Sequence, residues 1–188
     1  MIRSGWLMDY ADLPDLEYRK IFADTAQKAG EQHDYSVFQC WGKARFGPNI
    51  YLMDQVRGRW EEPELIQVAK TFWDKHANSP EPIVKVGPIR SFAIEDKVSG
   101  TALIQHLRRM GAPVEPVSRG RDKITRCRDV TAHMACGYVH VPKSAAWYAD
   151  YETELLAFPG GAFDDQVDPT LDAVMDMCGS GLSLTDLY

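Results

Sequence analysis

No part of this sequence is apolar for long enough to span a bilayer: the longest uncharged stretches, such as Val98 to Leu107 and Val130 to Pro142, are short and partly polar. Met1 to Tyr10 lacks a secretory apolar core. These absences predict a soluble, cytoplasmic protein. Cysteine is sparse and unpatterned, with Cys40, Cys127, Cys136 and Cys178 forming no C-x-x-C, which excludes a zinc knuckle or a disulfide framework and predicts reduced thiols. His133 and Cys136 lie at helical spacing without a second ligand pair nearby, so packing is their expected role. Internal repeats, low-complexity tracts and Ser/Gly linkers are missing too. With 45% hydrophobic and 26% charged residues over 188 positions, a single compact domain is expected over 1–188, with 1–18 as a lead-in segment.

A further absence is positional. Residues 146 to 188 contain nine acids and no Lys or Arg, while residues 81 to 145 hold eleven cations against six acids, so the segment nets are −2, +5 and −9 along the chain. A basic middle followed by an acidic end suggests either a phosphate-binding strip beside a carboxylate site or two solvated faces of opposite sign.

Apolar periodicity places the elements. Lys20 to Asp24, Tyr35 to Trp41 and Asn49 to Val56 read as strands, the last two forming a hairpin around Gly42 to Pro48. Leu65, Val68, Phe72 and Trp73 share one helical face after Pro63. A buried-type strand, IRSFAIED, is followed by a helix over TALIQHLRRM that Gly111 and Pro113 end. A strand over 113–117, a helix over 121–136, a strand over 138–141 and a helix over 147–158 follow, with a last helix expected after Asp168. The alternation predicts an α/β fold with a mixed sheet, hairpin strands plus parallel strands, covered by helices on both faces.

Three acidic spots sit at element ends: Asp24 after KIFA, Glu95-Asp96 after FAI, and Asp164-Asp165 with Asp168 before the last helix. Singly, each is an ordinary strand end or helix start. Ligands gather beyond the carboxyl ends of parallel strands, and clustered carboxylates repel unless a cation lies between them. Such a cluster suits Mg²⁺ or Mn²⁺ and phosphodiester cleavage. His33, His106 and His140 show no partner pattern for nucleophilic or acid–base work.

The strings FADTAQKAGEQHDYSVFQCWG (22–42), YLMDQVRGRWEEPEL (51–65), EDKVSGTALIQHL (95–107) and FDDQVD (163–168) resemble, in that order, the C-terminal nuclease domain of phage terminase large subunits. The match runs from about Ile21 to Leu171, and EDKVSGTALIQ is its most specific part. The resemblance implies an RNase H-like fold and a metal-dependent endonuclease that cuts concatemeric viral double-stranded DNA during packaging, using two Mg²⁺ or Mn²⁺ ions. It implies, as partners, double-stranded DNA, a terminase ATPase domain, a small terminase subunit and a portal, in the host cytoplasm and away from membranes. It makes Asp24 the first-strand ligand, Glu95 or Asp96 the second and Asp165 the third, with Asp164 or Asp168 assisting and Asp34 either a secondary metal contact or a support of the hairpin. The ATPase phosphate loop G-x-x-x-x-G-K-[ST] does not occur, so the nuclease part alone, unable to translocate DNA, is expected.

Two departures bear on these roles: Phe163 stands where a His is common, and Pro169 follows Asp168. Pro169 predicts that the last helix begins at Asp168 as its N-cap, leaving Asp165 as the metal ligand. Arg119, Arg121, Lys123, Arg126 and Arg128 fall within ten residues, a run expected to hold the DNA backbone unless it is a solvated helix face paired with Asp122 and Asp129. Lys97 is placed either to contact the scissile phosphate or to neutralise its acidic neighbours. Two other classes share features with this pattern: RNase H-like Holliday-junction resolvases, and a non-catalytic docking module of a packaging complex.

Overall fold

A computed structural model describes residues 1–26, 35–95 and 98–179, without the side chains of 98–100. His33, Asp34, Asp96 and Lys97 lie outside the described residues. The strands are β1 (Leu7–Asp9), β2 (Leu16–Asp24), β3 (Ser36–Ala44), β4 (Ile50–Gly58), β5 (Ile89–Glu95), β6 (Val114–Val117) and β7 (Val139–Val141). The helices are α1 (Glu62–Ala77), α2 (Ile83–Val86), α3 (Val98–Arg109), α4 (Lys123–Ala135), α5 (Tyr148–Ala157) and α6 (Val167–Met177). No helix among the described residues is long and apolar enough to cross a membrane.

The strands form one mixed sheet in the order β1-β7-β4-β3-β2-β5-β6. The β2–β3 and β3–β4 pairs are antiparallel, whereas β5 pairs with β2, and β6 with β5, in parallel. Side chains alternate between the two faces of the sheet. Ile21, Ala23, Phe92 and Ile94 pack with α1 and α3 through Leu65, Phe72, Leu103 and Leu107. Phe22, Trp41 and Ala93 face the opposite way, against Val130 of α4, Tyr151 of α5 and Leu171 of α6. Both faces are covered, as the alternation of strands and helices requires.

This parity positions the acids. Asp24 lies two residues beyond Phe22 and Glu95 two beyond Ala93, so both face α4–α6 from the carboxyl ends of adjacent parallel strands. The register pairs Ala23 with Ile94 and Glu95 with Val117, which brings Asp24, Glu95 and the chain leaving β6 to the same level. At the other end of β5, Gly87 takes a positive φ of 66° where the Glu17 carbonyl oxygen would stand 2.6 Å from any Cβ, so only glycine lets the chain approach β2 this closely. The buried Arg19 guanidinium donates to the carbonyls of Gly87 and His76 at 2.9 to 3.1 Å and anchors this entry.

Two expectations are corrected. The lead-in contains a short strand: β1 pairs in parallel with β7, and Leu7 is buried. Three residues are too few to show an alternation, which hides such an edge strand in the sequence. The last helix begins at Val167 with Gln166 as N-cap, so Asp168 and Pro169 both lie in its first turn. First-turn N–H groups have no intrahelical acceptor, so Pro169 removes no helical hydrogen bond there.

The cap comes from elsewhere in the chain. The buried Glu154 carboxylate of α5 accepts from the Gln166 backbone N–H at 2.6 Å and from Gln166 Nε2 at 2.7 Å. Gln55 Nε2 donates to Gln166 Oε1 at 2.7 Å, and Gln39 Nε2 donates to the Gln166 carbonyl at 3.3 Å. Trp41 Nε1 and the Thr170 hydroxyl close the network on Gln39 Oε1. Gln166→Leu, which keeps the bulk but leaves Gln55 Nε2 unpaired, is expected to cost roughly 1–3 kcal/mol, read as a lowered Tm in thermal unfolding.

Candidate metal centre

Arg119 leaves β6 two residues past Val117 and turns its guanidinium inward. Its Nη1 donates to Asp24 Oδ1 at 2.7 Å and to Glu95 Oε2 at 2.5 Å, and it lies 3.7 Å from Asp168 Oδ2. The Nε and Nη2 atoms grip Asp172 Oδ2 at 3.0 and 2.8 Å. Burial works against the charge of this guanidinium, but the Asp24, Asp172 and Glu95 carboxylates outweigh it and hold Arg119 more firmly protonated than an ordinary arginine.

Around this centre, α4 and α6 supply a second tier. Arg126 Nη1 donates to Asp172 Oδ1 at 2.7 Å and Nη2 bonds Asp168 Oδ1. Lys123 Nζ reaches Asp164 Oδ1 at 2.7 Å and Asp168 Oδ2 at 2.8 Å. Burial pushes the Arg126 pKa down, with Asp172 acting against it. Asp122 caps α4 by accepting from the Thr125 N–H at 3.0 Å, which aims Lys123 and Arg126 at α6. Asp168 therefore serves side-chain cations rather than the helix backbone.

Asp165 stands apart from these cations. It is 8% exposed, and among the described residues its Oδ2 has no hydrogen-bond partner. Arg57 Nη2 lies 3.9 Å from that oxygen but only 3.0 Å from Glu154 Oε2. Burial, together with the negative charges of Glu154 and Asp24, raises the Asp165 pKa to about 6, against a hydrogen bond from the Tyr35 backbone and the charge of Arg57. The Arg57 guanidinium stacks on the Tyr35 ring at 3.9 Å, Arg59 approaches the same ring at 4.2 Å, and Phe163 meets it edge-on.

The structure thus brings Asp24, Glu95, Asp164 and Asp168 around one set of cations and puts Asp165 beside them, within electrostatic reach of Asp24. Asp96 and Lys97 lie outside the described residues. The basic run divides between inward and outward cations. Arg119 and Arg126 are turned into the carboxylates, Lys123 is paired, and Arg121 points outward on Asp129 at 2.6 Å. The acids of the cluster hold Arg119 and Arg126, while Arg121 and Arg128 stay exposed.

Asp172, Glu154 and Arg57 were not legible as site residues. Asp172 had a signal, since it stands one helical turn beyond Asp168. Glu154 and Arg57 had none, because they join the site only through tertiary packing.

Among the described residues, no three His, Cys, Asp or Glu side chains are set to hold a metal ion as they stand. The donor chemistry nevertheless fits one: Asp24 and Glu95 present carboxylate oxygens to a single cationic nitrogen, and Asp165, whose Oδ2 accepts no hydrogen bond from the described residues, lies within electrostatic reach of Asp24. Hard divalent cations take such oxygen ligands.

No protein-family sequence profile matches the chain, and no curated protein matches it by sequence. Solved structures do match it. The large terminase nuclease of thermophilic phage G20c, with bound zinc, superposes with a TM-score of 0.58 at 17% identity, covering 89% of this chain and 94% of that one. The human cytomegalovirus terminase nuclease domain, soaked with manganese, gives 0.60 at 10% identity, covering 95% and 97%. The large terminase of a second thermophilic bacteriophage, in complex with ADP, gives 0.62 at 14% identity, and the match covers 89% of this chain but only 41% of that protein. The fold is that of the terminase large-subunit nuclease domain, an RNase H-like mixed α/β sheet.

An acid whose folded-state pKa stands above its unfolded value penalises the fold once ionised, so the stability present at low pH is lost as pH rises through about 6. Without divalent metal, Asp165→Asn should therefore raise Tm at pH 8, by the equivalent of about 1–3 kcal/mol. The gain should shrink towards pH 4. Paired thermal melts across this range check it.

Proposed function

We propose that this chain is a divalent-metal-dependent endonuclease that cuts double-stranded viral DNA during genome packaging. The observation that carries the reading is the convergence of Asp24 and Glu95 on one cationic nitrogen, at the carboxyl ends of adjacent parallel strands. The terminase nuclease fold supports it, as do the neighbours determined with zinc, magnesium or manganese.

In this reading Asp24, Glu95 and Asp165 hold the cation, with Asp96, the next residue in the sequence, as the alternative to Glu95 and with Asp164 and Asp168 alongside. When bound, Mg²⁺ or Mn²⁺ supplies Lewis-acid activation of the scissile phosphodiester and of the attacking water, and two ions would serve both sides of an in-line displacement. The chain's own residues do the positioning. The sheet fixes Asp24 and Glu95, while the Glu154–Gln166–Gln39 network fixes the turn bearing Asp165. No Ser, Cys or His nucleophile is required. Cleavage leaves a 5′ phosphate and a 3′ hydroxyl. DNA is held through its backbone without reading bases, with the outward-facing Arg121 and Arg59 as contacts. An ATPase domain, a small terminase subunit and a portal would supply DNA movement.

Supercoiled plasmid should be nicked and linearised in Mg²⁺ or Mn²⁺ with little sequence preference, and EDTA should stop the reaction. Asp24→Asn is expected to fold and to lose at least about a hundredfold in rate, because a neutral amide is a poor ligand for a hard cation. Full activity in Asp24→Asn would remove the reading. Cutting confined to a four-way junction would assign the chain to the resolvases.

A further inference from the structure

The proposed metal centre already contains a cation of its own. Arg119 Nη1 stands between Asp24 and Glu95, the two carboxylates that face each other across adjacent strand ends, and its side chain is only 6% exposed. Two acids this close and this buried can both stay ionised only with a positive charge between them. Resting on the proposed function above, we infer that Arg119 is the resident counter-cation of the acid cluster, and that a divalent cation binding Asp24 and Glu95 displaces its guanidinium from them.

Three features make the exchange feasible. Arg119 lies in the irregular connection between β6 and α4, beside Gly120, where a Cβ would meet nothing within 4 Å, so the backbone there is uncrowded. Asp168 and Asp172 keep a partner when Arg119 leaves, because Arg126 bonds both and Lys123 also reaches Asp168. The cluster can also accept more positive charge: among the described residues five carboxylates, Asp24, Glu95, Asp164, Asp168 and Asp172, surround three cations, Arg119, Lys123 and Arg126. Exchanging a single positive charge for a double one reduces that imbalance, which favours the metal. Arg119 thus screens the acids from one another and sets the metal concentration at which the centre fills.

Competition and support predict opposite changes when Arg119 is replaced. A metal that must expel Arg119 has its affinity reduced by the fraction of molecules with the guanidinium withdrawn. In Arg119→Gln, the Tm without metal should fall, while Mn²⁺ affinity measured by calorimetry without DNA should rise by roughly tenfold or more, for a withdrawn fraction of about a tenth or less. Unchanged or weaker Mn²⁺ binding by a folded Arg119→Gln would overturn the inference, because Arg119 would then share the centre with the metal.

A second measurement needs no variant. In the wild-type chain, an arginine-selective dicarbonyl reagent followed by peptide mass spectrometry should modify Arg119 slowly without metal and faster in saturating Mn²⁺, with Arg121 reactive in both. Arg119 equally protected with Mn²⁺ bound would reject displacement while leaving the metal centre in place. No Mn²⁺ binding by the wild-type chain would reject both readings.

Discussion

A single guanidinium holds the working end of this domain together. Arg119 bonds carboxylates from two strands and one helix, Asp24 of β2, Glu95 of β5 and Asp172 of α6, so its charge ties the sheet to the layer above it. Removing one partner from a buried ion pair costs about 3–5 kcal/mol, because the other charge is left uncompensated. Here several acids share one cation, and the arrangement of α4 and α6 over the strand ends follows from that need. Arg126 and Lys123 extend it along α6, and Lys20 reaches Asp176 two turns past Asp168 at 2.7 Å.

Asp165 shows what the same physics does where the cation is more distant. Its Oδ2 is buried and accepts no hydrogen bond from the described residues, since Arg57 is engaged by Glu154 and by the Tyr35 ring. A domain selected for stability alone would have little reason to keep an ionisable oxygen in this position, whereas a centre that takes up a cation does. Asp168 bonds Lys123 and Arg126 directly, whereas Arg57 stays 3.9 Å from Asp165, and this separates the two acids although they stand only three residues apart.

Much of the fold was legible because it follows from periodicities. The hairpin of β3 and β4, the amphipathic α1 and α3, and the strand–helix alternation after Pro88 all appear where apolar spacing puts them. Asp24 and Glu95 were legible for the same reason, as acids ending apolar strands. The partners of the basic run were not. Arg119 and Asp24 are 95 residues apart, and no local pattern shows that a cation in the middle of the chain will meet acids from both ends. The start of α6 was misplaced for a related reason: its cap is Glu154, a side chain of another helix, where a local rule looks for Asp or Ser. Local chemistry announces elements and strand ends, while charge pairing and capping across the core are settled only when the layers close.

The central claim is that the Arg119-bridged acids are a divalent-cation site. Anomalous diffraction from a crystal of the wild-type protein soaked in Mn²⁺ tests it most directly. An anomalous peak within ligand distance of Asp24 and Glu95, with the Arg119 guanidinium withdrawn from both, is expected, whereas Arg119 still bridging Asp24 and Glu95 with no manganese between them would contradict a divalent-cation site there.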